Sequence, residues 1–163
     1  MHTIFITGGT GCIGSVTIYK LLQSKEVGKI VIATRSNNTA PLKLWLDEEL
    51  DPRLELVQLD VADYKAMEEV VTNVNPTHII HLGAYQSPDC SKYHIQGMEI
   101  NTGGTMALFD IAEKLPNLQR YVFASSAAVY GMRAMYPNPG ITEDAQLAPP
   151  NHYGIWKLAG EHL

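Results

Sequence analysis

The sequence of 163 residues has few of the features that mark secreted, membrane or nucleic-acid-binding proteins. Its only cysteines, Cys12 and Cys90, form no CxxC motif and suggest no disulfide framework. No apolar run approaches the roughly 18 residues of a membrane span, and no basic and apolar leader opens the chain. The net charge of -5 comes without any run of Lys or Arg. These absences predict a cytoplasmic protein that binds neither membrane nor nucleic acid.

What the chain does have is a regular succession of short apolar runs rich in β-branched and aromatic residues. Runs of this kind are typical of strands buried on both faces of a parallel sheet. Helical spacing between the runs completes a strand–helix alternation, which predicts a doubly wound α/β sheet in one domain. The predicted strands cover residues 3–6, 30–33, 54–57, 78–82 and 121–124, and the helices cover 12–24, 63–74 and 92–115. A short helix is predicted around residues 42–46, and a loop is predicted over the proline-containing residues 131–151.

A glycine-rich turn follows the first of these strands. Residues 7–14, Thr-Gly-Gly-Thr-Gly-Cys-Ile-Gly, satisfy both Gly9-x-Gly11-x-x-Gly14 and Gly8-x-x-Gly11-x-x-Gly14. Glycines at these places let backbone N–H groups approach a pyrophosphate at the positive N-terminus of the next helix. The alternative is a tight turn without a ligand. Because the pattern lies directly between a strand and a helix, it predicts a dinucleotide site.

The end of the second predicted strand bears on the choice of cofactor. About 20 residues beyond the glycines, where an acidic side chain would bind a ribose hydroxyl, the chain has Thr34, Arg35 and Ser36. No carboxylate there rejects a 2′-phosphate, whereas Arg35 and Ser36 could bind one. The sequence therefore predicts NADP(H) in preference to NAD(H). The alternative is that Arg35 is a solvated loop residue and that the selectivity is slight.

A serine, a tyrosine and a lysine form the candidate catalytic set. Ser125 and Ser126 follow the fifth predicted strand, at the end of a parallel strand where ligands bind. Tyr153 and Lys157 are four residues apart, which places them on one helix face. A phenol with a pKa near 10 is a poor base at neutral pH, and a nearby ammonium lowers that pKa. With Ser126 holding the substrate oxygen, the set predicts removal of a hydroxyl proton while hydride leaves the same carbon.

Taken together, these motifs resemble the extended short-chain dehydrogenase/reductases of the NAD-dependent epimerase/dehydratase type. The resemblance extends over nearly all 163 residues and includes three more segments that are similar to the family's: Leu59-Asp60-Val61, His81-Leu82-Gly83-Ala84 and Asn101-Thr102-Gly103-Gly104-Thr105. It implies an NAD(P)-binding Rossmann fold, with catalytic residues Ser126, Tyr153 and Lys157 and no metal. The predicted cofactor contacts are Gly8, Thr10, Gly11, Cys12, Ile13, Gly14, Arg35, Ser36, Asp60, Val61, Leu82, Gly83, Ala84, Asn101, Tyr153 and Lys157.

The resemblance also implies an activity and an assembly. It predicts an NAD(P)-dependent epimerase or reductase that acts on a hydroxyl or keto carbon, with a nucleotide sugar as the expected substrate. The family's dimers imply a homodimer through helices near residues 92–115 and 152–163. A cofactor-binding or interaction module without turnover of its own is the alternative.

Three departures from the family's pattern qualify this expectation. Arg35 replaces the family's usual ribose-binding acid, as in its NADP-using members. Ala127 and Ala128 stand where 4,6-dehydratases carry Asp-Glu, which argues against water elimination. Family members are also substantially longer than this chain. The sequence is therefore expected to be a Rossmann domain over residues 1–163 that is incomplete at its C-terminus, lacking the last strands and the substrate domain.

Overall fold

Five parallel strands form one sheet in the computed structural model, which describes residues 1–36, 38–46, 50–136 and 140–163. The strands are β1 (His2–Thr7), β2 (Val27–Thr34), β3 (Leu54–Gln58), β4 (His78–His81) and β5 (Arg120–Phe123). Their spatial order is β3-β2-β1-β4-β5, so the strand order reverses direction at β1. This is the order of a doubly wound dinucleotide-binding sheet, and it confirms the predicted α/β class.

The chain divides into two compact units. The sheet unit comprises Met1–Gly83 and Ala107–Ala124, and the helical unit comprises Ala84–Met106 and Ser125–Leu163. All five strands belong to the sheet unit. The helical unit contains the segments that carry Ser126, Tyr153 and Lys157.

In the sheet unit, the core is formed by β1 and β2 together with the helices α1 (Cys12–Leu22), α2 (Ala40–Lys43) and α3 (Tyr64–Val74). Phe5, Ile6, Ile30 and Ile32 are completely buried, as expected for strands covered on both faces. The same burial was expected of all five strands, but every residue of β3 and β5 is either partly buried or exposed. The reason is that both are edge strands with a single neighbour in the sheet. Leu42 of the predicted short helix is also completely buried.

In the helical unit, the single helix predicted over residues 92–115 is a compound structure. After α4 (Ser87–Lys92), the chain leaves helical geometry at Tyr93. It then continues through α5 (His94–Met98), a π-helical segment (Glu99–Gly103) and α6 (Gly104–Lys114), whose later residues belong to the sheet unit. The last helix, α7, covers His152–Glu161. Among the described residues, no helix combines the length and apolar character needed to span a membrane.

The predicted loop over residues 131–151 is held together by a tyrosine. The Tyr136 hydroxyl accepts a hydrogen bond from the Gly131 N–H at 2.6 Å and donates one to the Gln146 carbonyl at 2.7 Å. A short 3-10 turn (Arg133–Met135) precedes it, and residues 137–139 of the loop lie outside the described residues. The hydrogen bonds of the Tyr136 side chain therefore fix a loop that has little regular secondary structure.

Candidate functional site

The glycine-rich turn after β1 is built by contacts that exclude side chains. Gly8 has a φ of +69°, and a Cβ added there would lie 2.9 Å from the backbone nitrogen of Gly83. The Gly11 N–H donates to the Gly8 carbonyl at 3.0 Å and closes the turn. Gly14, in the first turn of α1, lies so close to Gly8 and Gly9 that its own Cβ would overlap their backbone. The turn and the start of α1 therefore form one rigid backbone structure.

The start of α1 has the properties of an anion site. Its N-cap is Gly11, no side chain accepts hydrogen bonds from its first N–H groups, and no acidic residue lies in its first turn. Cys12 and Ile13 follow in exposed positions. N–H groups at a helix N-terminus bind anions through hydrogen bonds and the helix dipole. The residues present therefore fit the pyrophosphate of a dinucleotide.

Threonines connect the turn to the neighbouring strands. The Thr10 hydroxyl lies 3.3 Å from that of Thr34 at the end of β2, and the Thr34 hydroxyl donates to the Ser36 carbonyl at 2.9 Å. The Thr7 hydroxyl accepts from the Gly83 N–H at 2.9 Å and lies 2.7 Å from Nδ1 of the buried His81. Sequence reasoning did not assign roles to Thr7 and Thr34, although a threonine that ends a strand before a ligand loop is a usable signal.

The predicted cofactor residues of the sheet unit meet at the carboxyl edge of the sheet. They follow adjacent parallel strands, so their loops emerge at the same edge. Arg35 and Ser36 are exposed after β2, and the Asp60 carboxylate beyond β3 accepts the Ala62 N–H at 3.0 Å. The residues brought together there are Gly8, Thr10, Gly11, Cys12, Ile13, Gly14, Arg35, Ser36, Asp60, Val61, Leu82 and Gly83. Ala84, Asn101, Tyr153 and Lys157 belong to the helical unit.

In the helical unit, close packing joins the segments of Ser126 and Tyr153. The Ser126 hydroxyl accepts the Ala128 N–H at 3.2 Å and begins a 3-10 turn (Ala127–Val129). Asn151 caps α7 by accepting the Gly154 N–H at 2.9 Å. A Cβ at Gly154 would lie 2.2 Å from the Ala128 carbonyl oxygen, so only glycine permits this contact. The first turn of α7, with the half-buried Tyr153, is thereby held against the turn that follows Ser126.

Lys157 lies one helical turn after Tyr153 and is 4% exposed. Its Nζ is 5.9 Å from the centroid of the Tyr153 ring. Burial lowers the pKa of Lys157 to about 8, and the neighbouring Cys90 acts weakly in the opposite direction. An ammonium group is rarely buried without a function or a partner, because its desolvation costs several kcal/mol.

The neighbouring Cys90 belongs to a buried polar cluster with Asn101 and Tyr85, and sequence reasoning did not predict these contacts. The Asn101 amide, 2% exposed, accepts the Tyr85 N–H at 2.7 Å and donates to the Tyr85 carbonyl at 3.0 Å. It also contacts Cys90 Sγ at 3.4 Å, and burial raises the pKa of that thiol. Asn101 therefore fixes the backbone next to Ala84, and its contact with a cofactor remains a prediction. Cys90 carried no sequence signal, since a lone cysteine without a motif is most often a core residue.

Replacing Lys157 by methionine is expected to stabilise the protein below about pH 8 and to flatten its pH dependence above that value. The pKa of Lys157 falls from its ordinary 10.5 to about 8 on folding, so the unfolded chain binds more protons between these values. The free energy of unfolding should therefore rise with pH through this window, by on the order of 3 kcal/mol if it is traversed fully. The pKa of Cys90 is raised on folding, so above its ordinary value of 9.0 this thiol makes the free energy of unfolding fall as pH rises. The effect of Lys157 should therefore be clearest in the interval just above pH 8.

Chemical denaturation at a series of pH values measures this effect in the wild type and in Lys157→Met. Lys20→Met, on the exposed part of α1, serves as the control for loss of a lysine. Parallel pH dependences in wild type and Lys157→Met would show that the Lys157 ammonium is not desolvated in the folded protein.

Comparison with known proteins identifies the family of the chain and relatives that include several UDP-glucose 4-epimerases. The sequence model of the family described as GDP-mannose 4,6 dehydratase matches residues 5–163. A UDP-glucose 4-epimerase of Dictyostelium discoideum is 29% identical to the chain over 161 residues. Another, from Lacticaseibacillus casei, is 32% identical over 162 residues. These matches cover 98% and 99% of this chain but 45% of each relative, so the chain spans a little under half the length of both.

A solved structure extends the comparison to three dimensions. The Bordetella bronchiseptica enzyme WbmG, in complex with NAD and UDP, matches with a TM-score of 0.77 and 28% sequence identity. The match covers 98% of this chain and 47% of that one. The sheet and its helices are thus shared with a protein that holds a nicotinamide dinucleotide and a uridine nucleotide.

Proposed function

Since the chain belongs to the GDP-mannose 4,6-dehydratase family, we propose that it acts as an NAD(P)-dependent epimerase or reductase on a nucleotide sugar. The observation that carries the proposal is the buried Lys157, whose Nζ lies 5.9 Å from the Tyr153 ring on a helix packed against the turn after Ser126. Burial of an ammonium group costs several kcal/mol of desolvation. The charge has a use if Tyr153 exchanges a proton with the substrate.

Each residue of the set has a distinct role in this proposal. Tyr153 takes the proton from a substrate hydroxyl and returns it, while Ser126 donates a hydrogen bond to the same substrate oxygen. Lys157 supplies positive charge near the phenol oxygen as the proton leaves. The turn at Gly8–Gly14 in the sheet unit binds the dinucleotide through its N–H groups. The nicotinamide of the bound cofactor supplies the hydride chemistry.

The residues after Ser126 favour epimerisation or reduction over dehydration. Ala127 and Ala128 form a 3-10 turn and provide no carboxylate for the acid and base steps of water elimination. The two relatives named above are UDP-glucose 4-epimerases, which supports a uridine-linked sugar as the substrate. The proposal therefore centres on inversion at a hydroxyl-bearing carbon.

Turnover of a nucleotide sugar is the direct test. Incubated with UDP-glucose and NAD(P), an epimerase is expected to form UDP-galactose while the oxidised cofactor is unchanged over many turnovers. A reductase is expected to oxidise NAD(P)H in proportion to a ketone substrate. Cofactor binding without turnover of any nucleotide sugar would instead indicate a binding module.

Cofactor binding can be read independently from the two cysteines. Both are free thiols, which agrees with the proposed cytoplasmic location; Cys12 is exposed beside the turn and Cys90 is 1% exposed. N-ethylmaleimide is expected to modify Cys12 rapidly and Cys90 slowly. Cofactor at about ten times its dissociation constant should slow the modification of Cys12 about tenfold. Peptide mass spectrometry after timed quenching measures both rates.

The half-protecting concentrations also compare the two cofactors. Because Arg35 and Ser36 are exposed after β2 and the segment Thr34-Arg35-Ser36 contains no carboxylate, we propose that NADP(H) binds more tightly than NAD(H). Arg35→Asp should reverse the order of the two affinities, so that NAD(H) binds more tightly. Cys12→Ser is the control for the assay, because it lacks the rapidly modified thiol. Tighter protection by NAD(H) in the wild type would overturn the preference, and no protection by either would overturn the placement of the cofactor.

We further propose a homodimer through the helices near residues 92–115 and 152–163. Three large apolar side chains are exposed on α5 and α7: Ile95 at 69%, Met98 at 46% and Ile155 at 48%. Burying them in a helix bundle with a second copy would remove this surface from water. Light scattering should give twice the mass of one chain, and a monomer at all concentrations would exclude the assembly.

A further inference from the structure

Two exposed histidines of the helical unit lie in contact outside the proposed proton-transfer set. His94 is the first residue of α5 and His152 is the first residue of α7. Their ring centroids are 4.4 Å apart, and the ring planes are inclined at 78°. Two imidazoles on separate helices are thus held side by side at the surface.

Their separation suits a shared metal ion. With zinc–nitrogen bonds of about 2.1 Å, each ring centroid lies roughly 3.2 Å from the ion, so two imidazoles bound at about 90–110° have centroids roughly 4.5–5.3 Å apart. The observed 4.4 Å is within a few tenths of an ångström of this range. Small rotations of exposed side chains supply such a difference.

The nitrogens of these rings are available. Within the described residues, neither the His94 nor the His152 side chain has a hydrogen bond or an ion pair; the two rings contact each other, and the His152 ring also contacts that of Trp156. The sheet unit contains a second histidine pair, His2 and His78, whose ring centroids are 4.6 Å apart. The surroundings of this pair are less suited to a metal ion. Nδ1 of His78 lies 2.9 Å from the Thr77 hydroxyl, and the positive charge of Arg120 acts on its ring, which opposes a bound cation.

We propose that His94 and His152 bind a divalent transition-metal ion, such as Zn²⁺, Ni²⁺ or Cu²⁺, that cross-links α5 to α7. Imidazole is a preferred ligand of these ions. Among the described residues, no group of three or more His, Cys, Asp or Glu side chains is placed to hold a metal ion, so the proposed site has two protein ligands and water would complete the coordination. Because His152 immediately precedes Tyr153, the bound ion restrains the first turn of α7.

The site has a built-in optical reporter. The Trp156 ring lies 5.6 Å from that of His152, and the only other tryptophan of the chain is Trp45. Bound Cu²⁺ is expected to quench the fluorescence of Trp156. In a Trp45→Phe variant, all tryptophan fluorescence comes from Trp156. Zn²⁺ is expected to raise the melting temperature of the same protein by mass action.

Variants of each histidine test whether both rings bind one ion. His94→Asn and His152→Asn should each lower the Cu²⁺ affinity, measured by fluorescence quenching, at least about tenfold, because loss of one ligand removes the chelate effect. The double variant His2→Asn/His78→Asn is the matched control and should bind as the Trp45→Phe parent does. Since His94 and His152 are exposed, circular dichroism should be unchanged in all of these proteins.

Three results would overturn the site. Equal Cu²⁺ affinity in His94→Asn and the parent would mean that His152 acts alone. Loss of binding only in the His2/His78 control would move the ion to the sheet unit. Association of the chain that occurs only with metal and is lost in His94→Asn and His152→Asn would place the two ligands in different copies, whether or not the metal-free protein is a dimer. None of these readouts requires cofactor or turnover, so they are independent of the proposed enzymatic function.

Discussion

Replacing Gly14 by alanine is expected to destabilise the protein by about 2 kcal/mol or more and to abolish dinucleotide binding. The added Cβ would lie 2.3 Å from the Gly8 carbonyl oxygen and 2.6 Å from the Gly9 Cα. Both are backbone atoms, so no side-chain rotation relieves the overlap, and either α1 or the turn must shift. Alanine gains roughly 1 kcal/mol over glycine in helix propensity, which is too little to offset this clash.

Gly11→Ala separates stability from binding. Gly11 is exposed, its backbone is extended, and its added Cβ would meet only the Gly8 carbonyl oxygen, at 3.2 Å. Its free energy of unfolding should therefore stay within about 1 kcal/mol of the wild type. A methyl group at the start of α1 should nevertheless keep a pyrophosphate away from the N–H groups. Gly11→Ala should thus lose binding alone, and Gly14→Ala should lose both.

Chemical denaturation and calorimetric titration with NAD(P) measure the two quantities on the same preparations. A shift of the turn moves the N–H groups at the start of α1 away from the pyrophosphate, so binding should be lost together with stability. If Gly14→Ala were as stable as the wild type and bound cofactor normally, the close packing of α1 against the turn would be wrong.

The sheet and its glycine-rich turn could be predicted from the sequence because their determinants are local. β-branched runs define β1 and β2, and the glycines at positions 11 and 14 are required by contacts with Gly8 and Gly9, a few residues earlier in the chain. The contact of Gly8 with Gly83 is the long-range exception. The exposure of β3 and β5 could not be read in this way. It depends on strand order, which is a property of the whole sheet and not of either segment.

The residue types of the candidate site could be predicted from the sequence, but the packing contacts and hydrogen bonds that hold these residues could not. Ser126, Tyr153 and Lys157 follow a recognisable pattern, whereas the contact of Gly154 with Ala128 depends on how two distant segments pack. The amide of Asn101 likewise accepts a hydrogen bond from the backbone of Tyr85, 16 residues earlier, and donates one to the sulfur of Cys90. Such pairings contribute no periodicity to the sequence, so they emerge only from the folded chain.

Replacing Tyr153 by phenylalanine is expected to lower kcat for a nucleotide-sugar substrate by about 10²–10⁴-fold with little change in cofactor affinity. Phenylalanine keeps the ring that lies 5.9 Å from Lys157 Nζ, and it keeps the packing of the first turn of α7. The substitution therefore removes the hydroxyl alone, and with it the proposed carrier of the substrate proton. Tyr19→Phe, at a partly exposed position on α1, is the matched control and should retain wild-type turnover.

The measurement is steady-state turnover with varied substrate, combined with the protection of Cys12 as the assay of cofactor binding. A loss confined to kcat indicates an interaction made in the transition state, whereas a rise in KM alone would assign Tyr153 to substrate binding. Restoration of the rate at high pH would point to a different base, because phenylalanine cannot ionise. Turnover of Tyr153→Phe within threefold of the control, about 0.7 kcal/mol in the barrier, would be too small for a lost proton carrier. The buried Lys157 would then need another explanation.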